Sequence, residues 1–167
     1  MPQYDLLLTI AEVSMAFAGL VGIAGLYGTQ ARPDVFRAQF FLVAAMVGFA
    51  LLAGLFAFLP FVIAALGVPT NRSFQVSSLT LAIGLACWTA YGHRRTRELQ
   101  QSGVTPPRGV PQIMIGISLV FVVALLLAGI GLLGALGEGV YTVAVFLLLA
   151  YSGFFFIRLV WSLAPPP

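Results

Sequence analysis

Long apolar stretches, separated by short polar or glycine-rich segments, dominate the chain. A helix needs about 20 apolar residues to cross the hydrocarbon core of a bilayer. Five stretches have that length, namely 5–28, 35–66, 73–92, 112–135 and 139–163. The segments between them carry proline, glycine or charge and lie at 29–34, 67–72, 93–111 and 135–139. The pattern predicts an all-α integral membrane protein with five transmembrane helices in a single domain, residues 1–167, and a polar loop at 93–111.

The second stretch is too long for a straight crossing. As a helix, residues 35–66 would extend about 48 Å, against about 30 Å of hydrocarbon. Pro60 lies within it, and proline removes a backbone hydrogen bond and clashes with the preceding turn. We therefore expect a long second helix that is kinked at Pro60.

Composition agrees with a membrane location, because 60% of the residues are hydrophobic and only 8% are charged. Soluble domains carry about 25% charged residues. A chain with so few charges cannot cover a water-facing surface. The basic residues also lack the interleaved aromatic groove that single-stranded nucleic acid requires, so we expect no nucleic-acid partner.

The arginines predict the topology. With five crossings, seven of the eight basic residues fall on one side, and these are Arg32, Arg37, Arg94, Arg95, Arg97, Arg108 and Arg158. Only Arg72 falls on the other. Basic residues concentrate in cytoplasmic segments, which predicts an outer N-terminus and a cytoplasmic C-terminus. Arg94, Arg95, Arg97 and Arg108 form a basic patch that we expect to contact anionic lipid headgroups, at about 1 kcal/mol per residue.

A carboxyl lies inside the first apolar stretch and is the most informative single residue. Helical positions spaced alternately by four and three share one face. From Asp5 this spacing gives Asp5, Thr9, Glu12, Ala16 and Gly19, hereafter the acid stripe. A neighbouring row of small residues runs through Ser14, Ala18, Gly22 and Gly25, hereafter the small-residue stripe. Small residues allow close helix packing in lipid, so we expect the first helix to be central and buried.

The third stretch carries hydroxyls on one edge, among them Ser77 and Thr80. We expect this edge to face the first helix and to hydrogen-bond Glu12, because an unsatisfied polar group in hydrocarbon costs several kcal/mol. Two interpretations of Glu12 stay open. In one, a neutral glutamic acid joins two helices. In the other, Glu12 binds a cation or proton in a watery pathway, with Asp5 at its entrance, since acids inside membranes are functional candidates.

Other chemistry is sparse in this sequence. His93 is the only histidine and lacks neighbours with metal-ligand spacing. Cys87 is the only cysteine and is expected to be a buried, unreactive thiol. We find no set of nucleophile, base and acid, and no paired carboxylates. We therefore expect no enzyme activity, no metal and no cofactor.

The first span, "IAEVSMAFAGLVGIAGL", resembles the opening of small bacterial multi-pass membrane proteins of unassigned activity. The resemblance covers this span alone and implies a location in the bacterial inner membrane. We expect a homo-oligomeric channel or transport-type protein in which Glu12 contacts a cation or proton. The alternative is a non-conducting scaffold or partner subunit that binds another protein or a lipid through its small-residue faces.

Overall fold

Five helices make up the described part of the computed structural model. It describes the backbone of residues 2–31, 33–101 and 110–163, and the side chains of 4–23, 43–91, 93–94 and 115–157. The helices are α1 (Pro2–Ala31), α2 (Pro33–Ala65), α3 (Thr70–Gln101), α4 (Val110–Gly129) and α5 (Leu136–Leu163). The prediction of an all-α fold is confirmed.

Four of these helices are long and apolar enough to cross a membrane, by length and composition. Their apolar segments are Tyr4–Ile23, Val43–Ala65, Thr70–Tyr91 and Leu136–Ile157. In α4 the described apolar segment is shorter, Ile115–Gly129. The chain is therefore compatible with a membrane protein.

The second helix is long, as predicted, with 33 residues. Pro60 lies inside it, and the helix continues to Ala65. The Pro60 side chain is fully buried. Gly67, with φ of 86°, lies in the turn that follows the last residue of α2, and its N–H donates to the Ala64 carbonyl oxygen at 2.9 Å. A left-handed glycine at this position is a common helix terminator.

The corner between α4 and α5 does not lie where the sequence pattern predicted. We expected a span to residue 135 and a turn at 135–139, whereas the turn occupies 130–135 and α5 begins at Leu136. The N–H of Gly131 donates to the Ala128 carbonyl, and the N–H of Leu132 to that of Leu127. Together with the φ of 81° at Gly131, these two bonds form a Schellman motif. Because the turn residues are mostly apolar, hydropathy alone could not reveal it.

The chain divides into two compact units, each described here by itself. The first comprises Met1–Val62 and Thr142–Pro167, and joins α1 with most of α2 and α5. Tyr4 of α1 meets Phe61 of α2 edge-to-face at 4.7 Å between ring centroids. The Ser152 hydroxyl of α5 donates to the Met46 carbonyl oxygen of α2 at 2.6 Å. All three helices of this unit are thus in contact.

Small residues line the α2 face of the first unit. Its buried positions include Ala45, Ala50, Ala53, Gly54 and Ala57. A Cβ placed on Gly54 would lie 3.6 Å from the Ser14 Cβ of α1 and 3.2 Å from the Met15 Cε. α1 and α2 are therefore in close contact at this level, and an added methyl group would require the flexible end of the Met15 side chain to shift by a few tenths of an ångström.

The second unit, Ile63–Tyr141, is built on the packing of α3 against α4. The tightest approach is at Gly129, where an added Cβ would lie 2.5 Å from the Leu79 Cγ and 3.3 Å from the Gln75 carbonyl oxygen. Residues 75–79, early in α3, thus meet the last residue of α4. The two helices run antiparallel.

The Gly129 contact gives a stability prediction. Gly129→Ala would drive a methyl group into Leu79 and the α3 backbone, and overpacking of this kind costs about 1–3 kcal/mol. Thermal unfolding of the purified protein in detergent should therefore shift to lower temperature. Gly116→Ala in the same helix is the control, because an added Cβ there meets nothing within 4 Å. Equal stability of the two variants would contradict the packing described.

Candidate functional site

The acid stripe of α1 lies on the outside of the chain. Asp5, Thr9, Glu12, Ala16 and Gly19 are all exposed. The Thr9 hydroxyl donates to the Asp5 backbone carbonyl oxygen at 2.9 Å, so its proton is used within the helix. What the stripe presents outward is therefore two carboxyls, a hydroxyl oxygen and two small residues.

The prediction that this stripe turns inward is wrong. The buried face of α1 lies on the other side of the helix and consists of Leu7, Ile10, Ala11, Ser14, Ala18 and Val21. Both faces of α1 combine small and apolar residues, so spacing could not tell which face packs within the chain. Within the single chain, the Glu12 carboxyl is not buried.

The small-residue stripe does pack within the chain. Ser14 is fully buried and Ala18 is 9% exposed, while Gly22 is half-buried. Gly25 lies outside the residues whose side chains are described. In the described structure the Ser14 hydroxyl oxygen is buried without a hydrogen-bond partner. This face thus packs within the chain at Ser14, which lies close to Gly54, and at Ala18, whereas a Cβ added at Gly22 would meet nothing within 4 Å.

Gly19 is exposed, unlike Ser14 and Ala18, and it shares with Gly22 an open space around its Cα. A Cβ added there would meet nothing within 4 Å, so packing inside the chain does not explain why position 19 is glycine. The same stripe has alanine one turn earlier, at position 16. Small residues on an outer helix face let a second helix approach closely.

The predicted hydroxyl edge of α3 is split between two environments. Ser77 is buried and donates to the Ser73 carbonyl oxygen at 2.7 Å, whereas Thr80 is exposed and donates to the Val76 carbonyl oxygen at 2.9 Å. Both hydroxyl protons expected to satisfy Glu12 are thus used within α3. The buried face of this helix continues from Ser77 through Leu81 and Leu85. Cys87, expected to be buried, is exposed.

Tyr141 forms a polar contact that the sequence did not reveal. Its side chain is fully buried, and its phenol hydrogen-bonds Ser77. Phe74 packs edge-to-face on the Tyr141 ring at 5.8 Å. Tyr141 lies near the start of the predicted span 139–163, where a tyrosine is typically an interfacial anchor, so its place in the sequence did not indicate a buried role.

The predicted lipid-headgroup patch is described only in part. Arg94 is exposed, as is its neighbour His93. Arg95, Arg97 and Arg108 lie outside the residues whose side chains are described. Among the described residues, no group of three or more histidine, cysteine, aspartate or glutamate side chains could hold a metal ion.

Comparison with known proteins adds no further assignment. No family model, curated protein or solved structure matches this chain.

The Tyr141 contact can be measured by a double-mutant cycle. We expect Tyr141→Phe and Ser77→Ala each to lower the unfolding free energy, with a coupling of about 0.6 kcal/mol, the average that double-mutant cycles give for side-chain hydrogen bonds in membrane helices. Equilibrium unfolding in mixed micelles would supply the four free energies.

Thr80→Ala combined with Tyr141→Phe is the matched control, since Thr80 is an exposed hydroxyl on the same helix. The effects of these two substitutions on the unfolding free energy should be additive. Additivity of the Tyr141 and Ser77 substitutions would show that the bond contributes nothing to stability.

Proposed function

We propose that this protein is a small homo-oligomeric membrane channel or transport-type protein, in which the acid stripes of several α1 helices surround a pathway for a cation or proton. Glu12 is the central group of this pathway, and Asp5 and Thr9 lie toward its entrance. Neither an enzyme activity nor a cofactor forms part of the proposal.

The exposure of Glu12 carries this proposal. The carboxyl lies within the apolar segment Tyr4–Ile23 and on the outer face of the chain. An acidic side chain near the centre of a bilayer costs about 2.5–3.5 kcal/mol even on the lower scales. Contact with other copies and with water removes that cost, whereas contact with acyl chains does not.

The residues beside the acid stripe support a ring of α1 helices. Val13 is 49% exposed and Met15 is 44% exposed. In helix geometry they lie about 80° to either side of the stripe, at nearly the same height. When the acid stripes of several copies face a common axis, the Val13 side of one α1 helix therefore meets the Met15 side of the next. These contacts would seal the polar centre from lipid.

The chemistry of the stripe favours a positively charged occupant. Its polar groups are the Asp5 and Glu12 carboxyls and the Thr9 hydroxyl, whose proton is donated to a backbone carbonyl. They therefore present oxygen acceptors. Rings of acidic side chains are a common device for cation selectivity in channels.

Each copy is proposed to cross the membrane five times, with the N-terminus outside. α4 contains 20 residues, or about 30 Å of helix, which is enough to span the hydrocarbon core. Its antiparallel packing on α3 supports its count as a span. Seven arginines then fall on the inner side and one on the outer, which favours a cytoplasmic C-terminus with anionic lipid at the cytoplasmic face. The bacterial inner membrane is the proposed location, as the resemblance of the first span implies.

A second candidate uses the same face differently. The exposed Ala16 and Gly19 would equally seat a helix of another protein, and the chain would then be a non-conducting scaffold or partner subunit. In that case the Glu12 carboxyl would hydrogen-bond the partner helix rather than line a pathway.

Ion flux separates these two functions. K⁺-loaded vesicles containing the purified protein should release K⁺ down its gradient, and an external K⁺ electrode measures the rate. Glu12→Gln removes the negative charge and should slow release severalfold, because an amide attracts a cation less well than a carboxylate. A trapped pH-sensitive dye reports proton flux in the same vesicles.

Glu138→Gln is the control, since it makes the same chemical change in α5, at a residue that is not part of the stripe. It should leave the flux unchanged. Equal flux in the wild type and Glu12→Gln would remove Glu12 from the pathway. No flux of either ion in the wild type would favour the partner subunit.

A further inference from the structure

The acid stripe continues past its small residues to a bulky apolar side chain. Ile23 lies eleven residues after Glu12, about three turns and 16 Å further along α1. Its position falls on the centre line of the stripe, and its side chain is 55% exposed. The stripe therefore carries polar side chains in its first half, small residues at Ala16 and Gly19, and a bulky, branched aliphatic side chain at Ile23.

We infer that Ile23 forms a hydrophobic constriction on the cytoplasmic side of Glu12 and acts as the gate of the pathway. This inference rests on the proposed function, because it requires the α1 stripes to face a common axis. Hydrophobic constrictions close pores by expelling water rather than by filling them. A ring of Ile23 side chains, one from each copy, is such a constriction.

Ile23 is the bulkiest apolar side chain on the centre line of the stripe. Ala16 and Gly19 would leave a wider section there between Glu12 and Ile23, with the exposed Leu20 to one side. Isoleucine offers no hydrogen bond to replace the water around a cation. Its branched Cβ also restricts χ1 in a helix, so the constriction keeps a nearly fixed diameter unless the helices themselves move.

Contact with lipid is the alternative explanation for an exposed isoleucine. Val62 of α2 provides the comparison, because it is also branched at Cβ and has the same exposed fraction, 55%. The two residues differ in one relevant property. Ile23 shares a helix face with Glu12, whereas Val62 lies on another helix. A gating role therefore predicts different effects of the same substitution at the two positions.

The test measures K⁺ release from vesicles containing full-length wild type, Ile23→Ser and Val62→Ser. A polar ring at position 23 holds water, so Ile23→Ser should raise K⁺ release roughly tenfold, equivalent to a barrier lowered by about 1.4 kcal/mol. Val62→Ser should match the wild type. The added substitution Glu12→Gln should slow release in the Ile23→Ser protein, since the cation still passes the carboxyl ring.

The outcomes distinguish the gate from the pathway. If Ile23→Ser releases K⁺ at the wild-type rate while Glu12→Gln releases it more slowly, the gating role of Ile23 is contradicted and the proposed function is not. An equal rise in Val62→Ser would assign the effect to altered lipid contact and would also overturn the gate. No release in any variant would overturn both. Ile23→Ala, which widens the ring without adding a hydroxyl, replaces Ile23→Ser if the latter fails to elute at the wild-type volume.

Discussion

The cost of exposing a carboxyl to hydrocarbon is the constraint on which this account depends. Glu12 lies within an apolar segment of α1 and on the outer face of the chain. Lipid cannot hydrogen-bond or solvate it, and the energetic cost of leaving an acid there amounts to several kcal/mol. In a bilayer the outer face would therefore need another surface or water. We propose that a second copy provides that surface, because its own acid stripe carries the same polar groups.

The two faces of α1 show how one helix can serve two contacts. Its inner face packs within the chain through Ser14 and Ala18, and Gly54 lets α2 come close. Its outer face has no such neighbour at Gly19, where an added Cβ would be unobstructed. The inner face is thus required for the fold of one copy. We propose that the outer face is the surface used for assembly.

Much of the fold could be predicted from the sequence, because apolar length is a strong signal. The five helices and the long α2 follow from it directly. The α4–α5 corner could not be located, since its turn residues are apolar and the deciding features are the left-handed backbones of Gly131 and Gly134. The residues of the candidate pathway were identifiable by spacing. The direction in which they point was not, because spacing defines a face without saying what that face contacts. The buried role of Tyr141 was not predictable for another reason, since a tyrosine near a span end is typically an interfacial anchor.

Cross-linking of paired positions tests most directly whether the acid stripes face a common axis. The chain would carry Val13→Cys and Met15→Cys together, with Cys87→Ser to remove the native exposed thiol, and membranes would be oxidised before electrophoresis without reductant. In a ring, position 13 of one copy meets position 15 of its neighbour. The double variant should therefore give a ladder of cross-linked products that extends beyond the dimer. Each single variant should remain largely monomeric, because its cysteine has no cysteine opposite. Absence of any cross-linked product in the double variant, or a ladder that stops at the dimer, would contradict the ring of α1 helices.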